Sequence, residues 1–251
     1  MKLIKILLFL SFALHFVSCS STKPEGSTEA ETLYYEIMSN YKGKRYLLAL
    51  EKISTFRSKY PYSFYIAEIE LLRADIFYSQ ENYIEAVDAY LSFRDFHPKH
   101  DKLDLIEWRV AESFFLQLPS TVDRDLTPAL SALDSYQDLI KKFPGSEYSK
   151  KSVERIKTLE KMLENKELYI ADFYFRTKDY QSASYRLEKI ILTSRDIETK
   201  KLSLEKLVLS YVKLKQREKC EEKVKIYGDL LDSQQFERLQ SNCRELSTED
   251  K

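Results

Sequence analysis

Small apolar residues recur along this chain at fixed offsets from aromatic residues and prolines. Ala49 lies 12 residues before Pro61, Ala86 lies 12 before Pro98, and Ala132 lies 12 before Pro144, each proline following Tyr, His or Phe. Thirteen residues beyond the first two prolines stand Ala74 and Ala111, and Ala74 to Ala86 is again 12. The ruler continues with Ala171 to Ala183 at 12 and Ala183 to Cys220 at 37, while Phe77, Tyr174 and Tyr211 each precede the second small residue by nine. Helices approach closely only where the facing side chains are small, and a proline ends the second helix of such a pair. The pattern predicts an all-α chain of five helix hairpins, about 37 residues each, stacked as a superhelical solenoid with an elongated concave surface.

Two spacings break the ruler. Ala86 to Ala132 is 46, and the excess falls where Leu118 to Pro128 reads as a loop. Ala132 to Ala183 is 51, and the excess of fourteen falls in a proline-free stretch after Ser146. Fourteen residues are about four turns at 3.6 per turn, so a helix absorbs them without rotating its packing face. A long helix is expected near residues 147 to 178. The expected organisation is repeats one, two and the first helix of repeat three over 29–118, a loop over 119–128, the remaining repeats and a capping helix over 129–246, and a tail over 247–251.

The first eighteen residues differ in kind. Lys2 and Lys5 precede an apolar run from Ile6 to Val17 broken only by Ser11 and His15, and a small Ser18 stands before Cys19. Twelve positions are too few for a bilayer-spanning helix, which needs about 20 residues. The segment reads as an export signal. Phe16-Val17-Ser18-Cys19 is similar to a bacterial lipobox, so cleavage before a lipidated Cys19 is expected, followed by a linker over 19–28. Because two acyl chains already hold a protein stably at a membrane, such an anchor is effectively permanent. Ser20, where inner-membrane lipoproteins typically have Asp, favours the outer membrane, with the protein on its periplasmic side.

Composition narrows the function. Forty basic and forty acidic residues balance, and loss of Lys2 and Lys5 leaves the mature chain slightly acidic, so no nucleic-acid partner is expected. Four glycines and six prolines in 251 residues are too few for a strand-and-turn or a disordered protein. No phosphate loop, nucleophile elbow or Ser/His/Asp arrangement is present, so an enzyme is not expected and no cofactor is implied. His97 and His100 flank Pro98 without cysteine or a close acidic pair at metal spacing, and they read as loop residues. The many Glu and Lys residues at helical spacing read as solvated faces.

Longer stretches carry a family resemblance. Lys59-Tyr60-Pro61-Tyr62-Ser63-Phe64-Tyr65, Ala74-Asp75-Ile76-Phe77-Tyr78 through Tyr83-Ile84-Glu85-Ala86, Phe96-His97-Pro98-Lys99-His100, Lys142-Phe143-Pro144-Gly145-Ser146-Glu147-Tyr148, and Glu167-Leu168-Tyr169-Ile170-Ala171-Asp172-Phe173-Tyr174 with Tyr180, Ala183 and Arg186 together resemble the BamD family. The hairpins themselves resemble tetratricopeptide repeats, whose usual period is 34. The resemblance implies a non-catalytic scaffold of the outer-membrane β-barrel assembly machinery. Its N-terminal half would receive the aromatic-ended strand of unfolded outer-membrane proteins. Its C-terminal half would dock on a periplasmic domain of the central barrel subunit, with accessory lipoproteins as further partners. The alternative is another repeat lipoprotein serving pilus or secretin assembly or cell-wall coordination.

Candidate sites follow. Tyr62, Phe64, Tyr65 and Tyr78 are more aromatics than one helix contact needs; they suit peptide capture or inter-repeat packing. Asp123-Arg124-Asp125 reads as a partner contact or a self-paired loop. Arg186 matches a family arginine and would meet the barrel subunit or pair with a nearby acid such as Glu188. Cys220 and Cys243 are the only cysteines besides Cys19. A helix from about Glu218 to Leu231, a turn at Asp232-Ser233-Gln234 and a capping helix to about Leu246 form a hairpin that brings them within about one helical turn, and an exported domain lives where thiols oxidise. A disulfide and two buried free thiols both fit that geometry.

Overall fold

The computed structural model describes residues 26–245. The expected signal, Cys19 with its lipid, most of the linker, and the tail lie outside the described residues. Eleven α-helices make up the described chain: α1 Glu29–Lys42, α2 Tyr46–Lys59, α3 Ile66–Ser79, α4 Tyr83–Phe96, α5 Leu103–Phe115, α6 Thr127–Lys142, α7 Glu147–Arg176, α8 Tyr180–Thr193, α9 Ile197–Lys213, α10 Arg217–Ile226 and α11 Ser233–Glu245. Among the described residues there is no strand. No helix among them is long and apolar enough to cross a membrane. The helices pair as five consecutive hairpins and α11 follows as a single cap. They divide into two compact units, the first ending at His97 and the second beginning at Pro98.

The small-residue ruler is the packing seam. Ala49, Ala74, Ala86, Ala111, Ala132, Ala171, Ala183 and Cys220 are all fully buried. The aromatic position of the ruler is less uniform: Tyr211 is buried, while Phe77 and Tyr174 are half-buried. The prolines act as expected, because a residue before proline is pushed out of helical conformation. Helices α2, α4 and α6 each end two residues before one, and the capping Tyr60, His97 and Phe143 repeat nearly one geometry, φ/ψ of −129/51, −125/56 and −132/59. Side-chain caps start three of the later helices. Ser146 accepts from the Tyr148 N–H to start α7, Asp179 from Ser182 to start α8, and Asp196 from Thr199 to start α9.

In the first unit, Ile37, Ile53, Phe56, Ile69 and Ile76 fill the seam between α1, α2 and α3. The second unit holds two buried clusters. One, around Ala111, Ala129, Ala132, Tyr136 and Leu159, joins α5, α6 and α7. The other, around Ala183, Leu187, Leu204, Leu207 and Cys220, joins α7 through α11. The long helix spans 30 residues as its own segment, about 45 Å at 1.5 Å per residue. The loop before α6 runs over 116–126 and does not divide the chain, since α5 and α6 on its two sides pack as a hairpin. Pro128, read in the sequence as the last loop residue, sits in the first turn of α6, where its missing N–H costs nothing. The last hairpin is shorter than expected: α10 stops at Ile226 and a 3₁₀ turn, Gly228–Leu230, carries the chain toward α11.

Candidate functional site

The richest surface of the first unit is built where the start of α1 meets the turn between α2 and α3. Pro61 stops α2, so residues 60–65 leave the helix and carry four aromatics over one turn. Tyr65 folds back and stacks on Tyr34 of α1, centroids 4.4 Å apart. Tyr35 meets Tyr34 edge-on at 5.4 Å, and Phe64 meets Tyr65 edge-on at 5.6 Å. Tyr62 and Phe64 are left 98% and 94% exposed. Two large rings standing almost wholly in water on one turn are costly unless something covers them.

Carboxylates frame these rings. The Tyr34 hydroxyl donates to Glu68 at 2.8 Å and the Tyr60 hydroxyl to Glu29 at 2.8 Å. Tyr35 and Tyr65 both donate to Glu31 at 3.3 Å. Ser27 donates to Glu31 through its backbone N–H at 2.8 Å and also through its hydroxyl. Those Ser27 bonds hold the Glu31 carboxyl below the usual carboxylate range. Burial, reinforced by the bond to Glu68, pushes the Tyr34 hydroxyl up to about 12. Tyr65 is likewise raised, by burial and then by Glu31. At neutral pH Tyr34 and Tyr65 therefore stay neutral beside an ionised Glu31.

Tyr78 does not belong to this surface. It lies at the far end of α3, against Tyr83 at 5.7 Å. It stands thirteen positions beyond Tyr65, about 20 Å of helical rise. The grouping read from sequence is corrected accordingly: Tyr62, Phe64 and Tyr65 stay together, and Tyr34, Tyr35 and Tyr60 join them. His97 is also accounted for locally, its Nε2 lying 2.9 Å from Glu70, which Arg57 also contacts at 3.1 Å.

In the second unit, Asp123 and Arg124 are exposed, but their loop is held from behind. Lys166 of α7 donates to the carbonyls of Asp123 and Arg124 at 3.0 and 2.9 Å. Arg186 pairs with Glu167 of α7 at 3.0 Å and not with Glu188, which takes Lys223 at 3.0 Å and the Tyr211 hydroxyl at 2.8 Å. The physical reason is helical: residues two apart do not share a face. Arg186 nonetheless lines a hollow of about 330 Å³ with Tyr174, Gln181, Ser182 and Tyr185, the last 70% exposed. A larger groove of about 830 Å³ lies between the start of α6, the middle of α7 and the end of α8. Its rim charges are matched internally, through Lys161 with Glu164, Lys189 with Glu167, and Arg195 with Glu160. Cys220 and Cys243 are brought together as a disulfide, Cα atoms 5.6 Å apart and both side chains fully buried.

Known proteins are similar to this chain along most of its length. The curated relatives include the outer membrane protein assembly factor BamD of Rickettsia prowazekii, 28% identical over 91% of this chain and 92% of the relative. The BamD of Neisseria meningitidis serogroup A is 27% identical over 84% of this chain and 85% of the relative. That of Vibrio cholerae is 24% identical over 82% and 89%. Among solved structures, the P58(IPK) TPR domain superposes with a TM-score of 0.45 at 16% identity, over 87% of this chain and 56% of that one. A tetratricopeptide repeat protein of Parabacteroides merdae gives 0.38 at 14% identity over 88% and 87%. The family model described as YfiO: Outer membrane lipoprotein matches residues 27–226, most of the chain, and the protein therefore belongs to that family.

Proposed function

We propose that the protein is a non-catalytic scaffold for assembling β-barrel proteins of the outer membrane, tethered to that membrane's periplasmic face through a lipid on Cys19. The first unit captures the aromatic-ended strand of an unfolded outer-membrane protein, and the second docks on a periplasmic domain of the central barrel subunit. The observation that carries the reading is the turn at 60–65, where Tyr62 and Phe64 stand exposed beside a stacked tyrosine pair. An extended peptide laid there would cover the rings and exchange wet aromatic surface for contact. At about 25 cal/mol per Å² and 150–250 Å² for a buried aromatic, each ring is worth several kcal/mol before ordering costs. The names of the relatives, assembly factors by title, support the same role.

For the second unit, support comes from the hollow beside Arg186 and Tyr185. Arg186 is only half-buried in its pair with Glu167, so a partner carboxylate could share the guanidinium. The accessory lipoproteins would be further partners. Affinity purification of the native protein from solubilised envelopes tests the whole reading. Recovery of the large barrel-assembly subunit is expected. Recovery of a secretin or pilus component without it would favour the other class of repeat lipoprotein. Lipidation is tested separately: Cys19→Ser should release the protein from membranes or leave it as precursor, and unchanged fractionation and mass would contradict it.

A further inference from the structure

We propose that the aromatic turn of the first unit selects peptides that carry a lysine or arginine on the same face as their aromatic side chain. The inference rests on the capture reading above and names the class of segment captured. It starts from a contrast between neighbouring carboxylates. Glu36 pairs with Lys52 and Glu70 with Arg57, the latter also lying against the His97 ring. Glu29, Glu31 and Glu68 accept hydrogen bonds only from tyrosine hydroxyls and Ser27, and among the described residues no Lys, Arg or His pairs with them. Three acids without a basic partner among the described residues thus hold the hydroxyls of the Tyr34–Tyr65 stack, Tyr35 and Tyr60, on the turn that also carries Tyr62 and Phe64.

That pairing of rings and charge favours one kind of ligand. A neutral apolar strand covering Phe64 would strip water from these carboxylates and give nothing back, which costs free energy. A guanidinium or ammonium in the same place meets both the carboxylates and the faces of the stacked rings. Tyrosines that donate to carboxylates also keep their rings electron-rich, which strengthens attraction for a cation. In an extended strand, side chains two apart share a face. A basic residue two positions before an aromatic end would therefore reach the acids while the aromatic covers Phe64 and Tyr62.

The test uses the full mature protein and two fluorescein-labelled ten-residue peptides, alternating apolar and polar and ending in Phe. One carries Arg two residues before the Phe; the other carries Gln there. Anisotropy should show the Arg peptide binding on the order of tenfold tighter at low salt, with the difference shrinking at 0.5 M salt as screening length falls to a few ångström. The double variant Glu31→Gln/Glu68→Gln should lose the discrimination, and Phe64→Ala should weaken both peptides alike. Equal affinity of the two peptides for the unaltered protein, or discrimination that survives the double variant, would overturn the inference while leaving capture intact. Failure of both peptides to bind would overturn capture as well. Should the double variant misfold by circular dichroism, the salt series on the unaltered protein decides between these outcomes.

Discussion

Four residues show how tightly the hairpins are specified. Lys44, Glu81, Lys178 and Lys215 have φ of 56, 62, 66 and 58°, the left-handed region that favours glycine. Each sits in the turn inside a hairpin, and the next residue's N–H returns to a carbonyl five positions back: Arg45 to Asn40, Asn82 to Phe77, Asp179 to Tyr174 and Gln216 to Tyr211, all at 2.9 to 3.0 Å. This is a Schellman-type ending repeated in four hairpins. A side chain with Cβ is strained there, so Glu81→Gly or Lys178→Gly should stabilise the fold by about 0.5–1 kcal/mol, the left-handed penalty less glycine's entropy. Urea melts check this, and a loss of stability would contradict it. Tyr34 offers a second residue-scale test. Its hydroxyl titrates near 12 when folded against 10 when free, so the stability it lends is intact below pH 10 and is lost as pH rises toward 12. Absorbance at 295 nm should show one late-ionising tyrosine fewer in Tyr34→Phe than in the unaltered protein, with others such as Tyr211 remaining.

At the scale of elements, the long helix is fixed in register by charge as well as by packing. Arg155 of α7 donates twice to the buried Glu112 of α5, at 2.7 and 3.1 Å, lies over the Phe115 ring at 4.3 Å, and shares Glu112 with the Tyr136 hydroxyl of α6. Removing one partner leaves a buried carboxylate unmatched, so Arg155→Ala should cost about 3 kcal/mol, and replacing both by apolar residues should cost much less. The capping helix is held differently. With both cysteines fully buried between α10 and α11, the Cys220–Cys243 bond should be formed in the exported protein and resist reductant until it unfolds. Its loss should destabilise the end of the chain by about 3 kcal/mol. Two alkylatable thiols in unreduced, denatured protein would contradict this.

How these elements read from sequence follows from their physics. Ala and Pro positions are dictated by close helix approach and by chain breaking, both local and periodic, so the hairpins and the long α7 were visible in spacing alone. The surface was only partly visible. Tyr62, Phe64 and Tyr65 stand out as neighbours on one turn, but Tyr34 and Glu68 meet across 34 residues. No periodicity announces such a pair. Nearness in sequence hides the length of the helix that carries Tyr78 away from them, and nothing local shows that Arg186 faces Glu167 and not Glu188. Signals did exist for the missed residues, in the twin Tyr34-Tyr35 on α1 and the acids of its first turn.

At the scale of the whole molecule, each unit carries a different surface. The first presents bare aromatics with unneutralised acids; the second presents grooves whose rim charges are matched within the fold. Such a division suits a scaffold that takes an unfolded chain on one unit and a folded partner on the other. Whether the 60–65 turn receives substrate is tested most directly by a photo-crosslinker in place of Phe64 in cells making an outer-membrane protein. Adducts to that protein's aromatic C-terminal strand are expected, with few from a crosslinker at Tyr185. Adducts to substrate arising at Tyr185 and not at Phe64 would contradict that expectation.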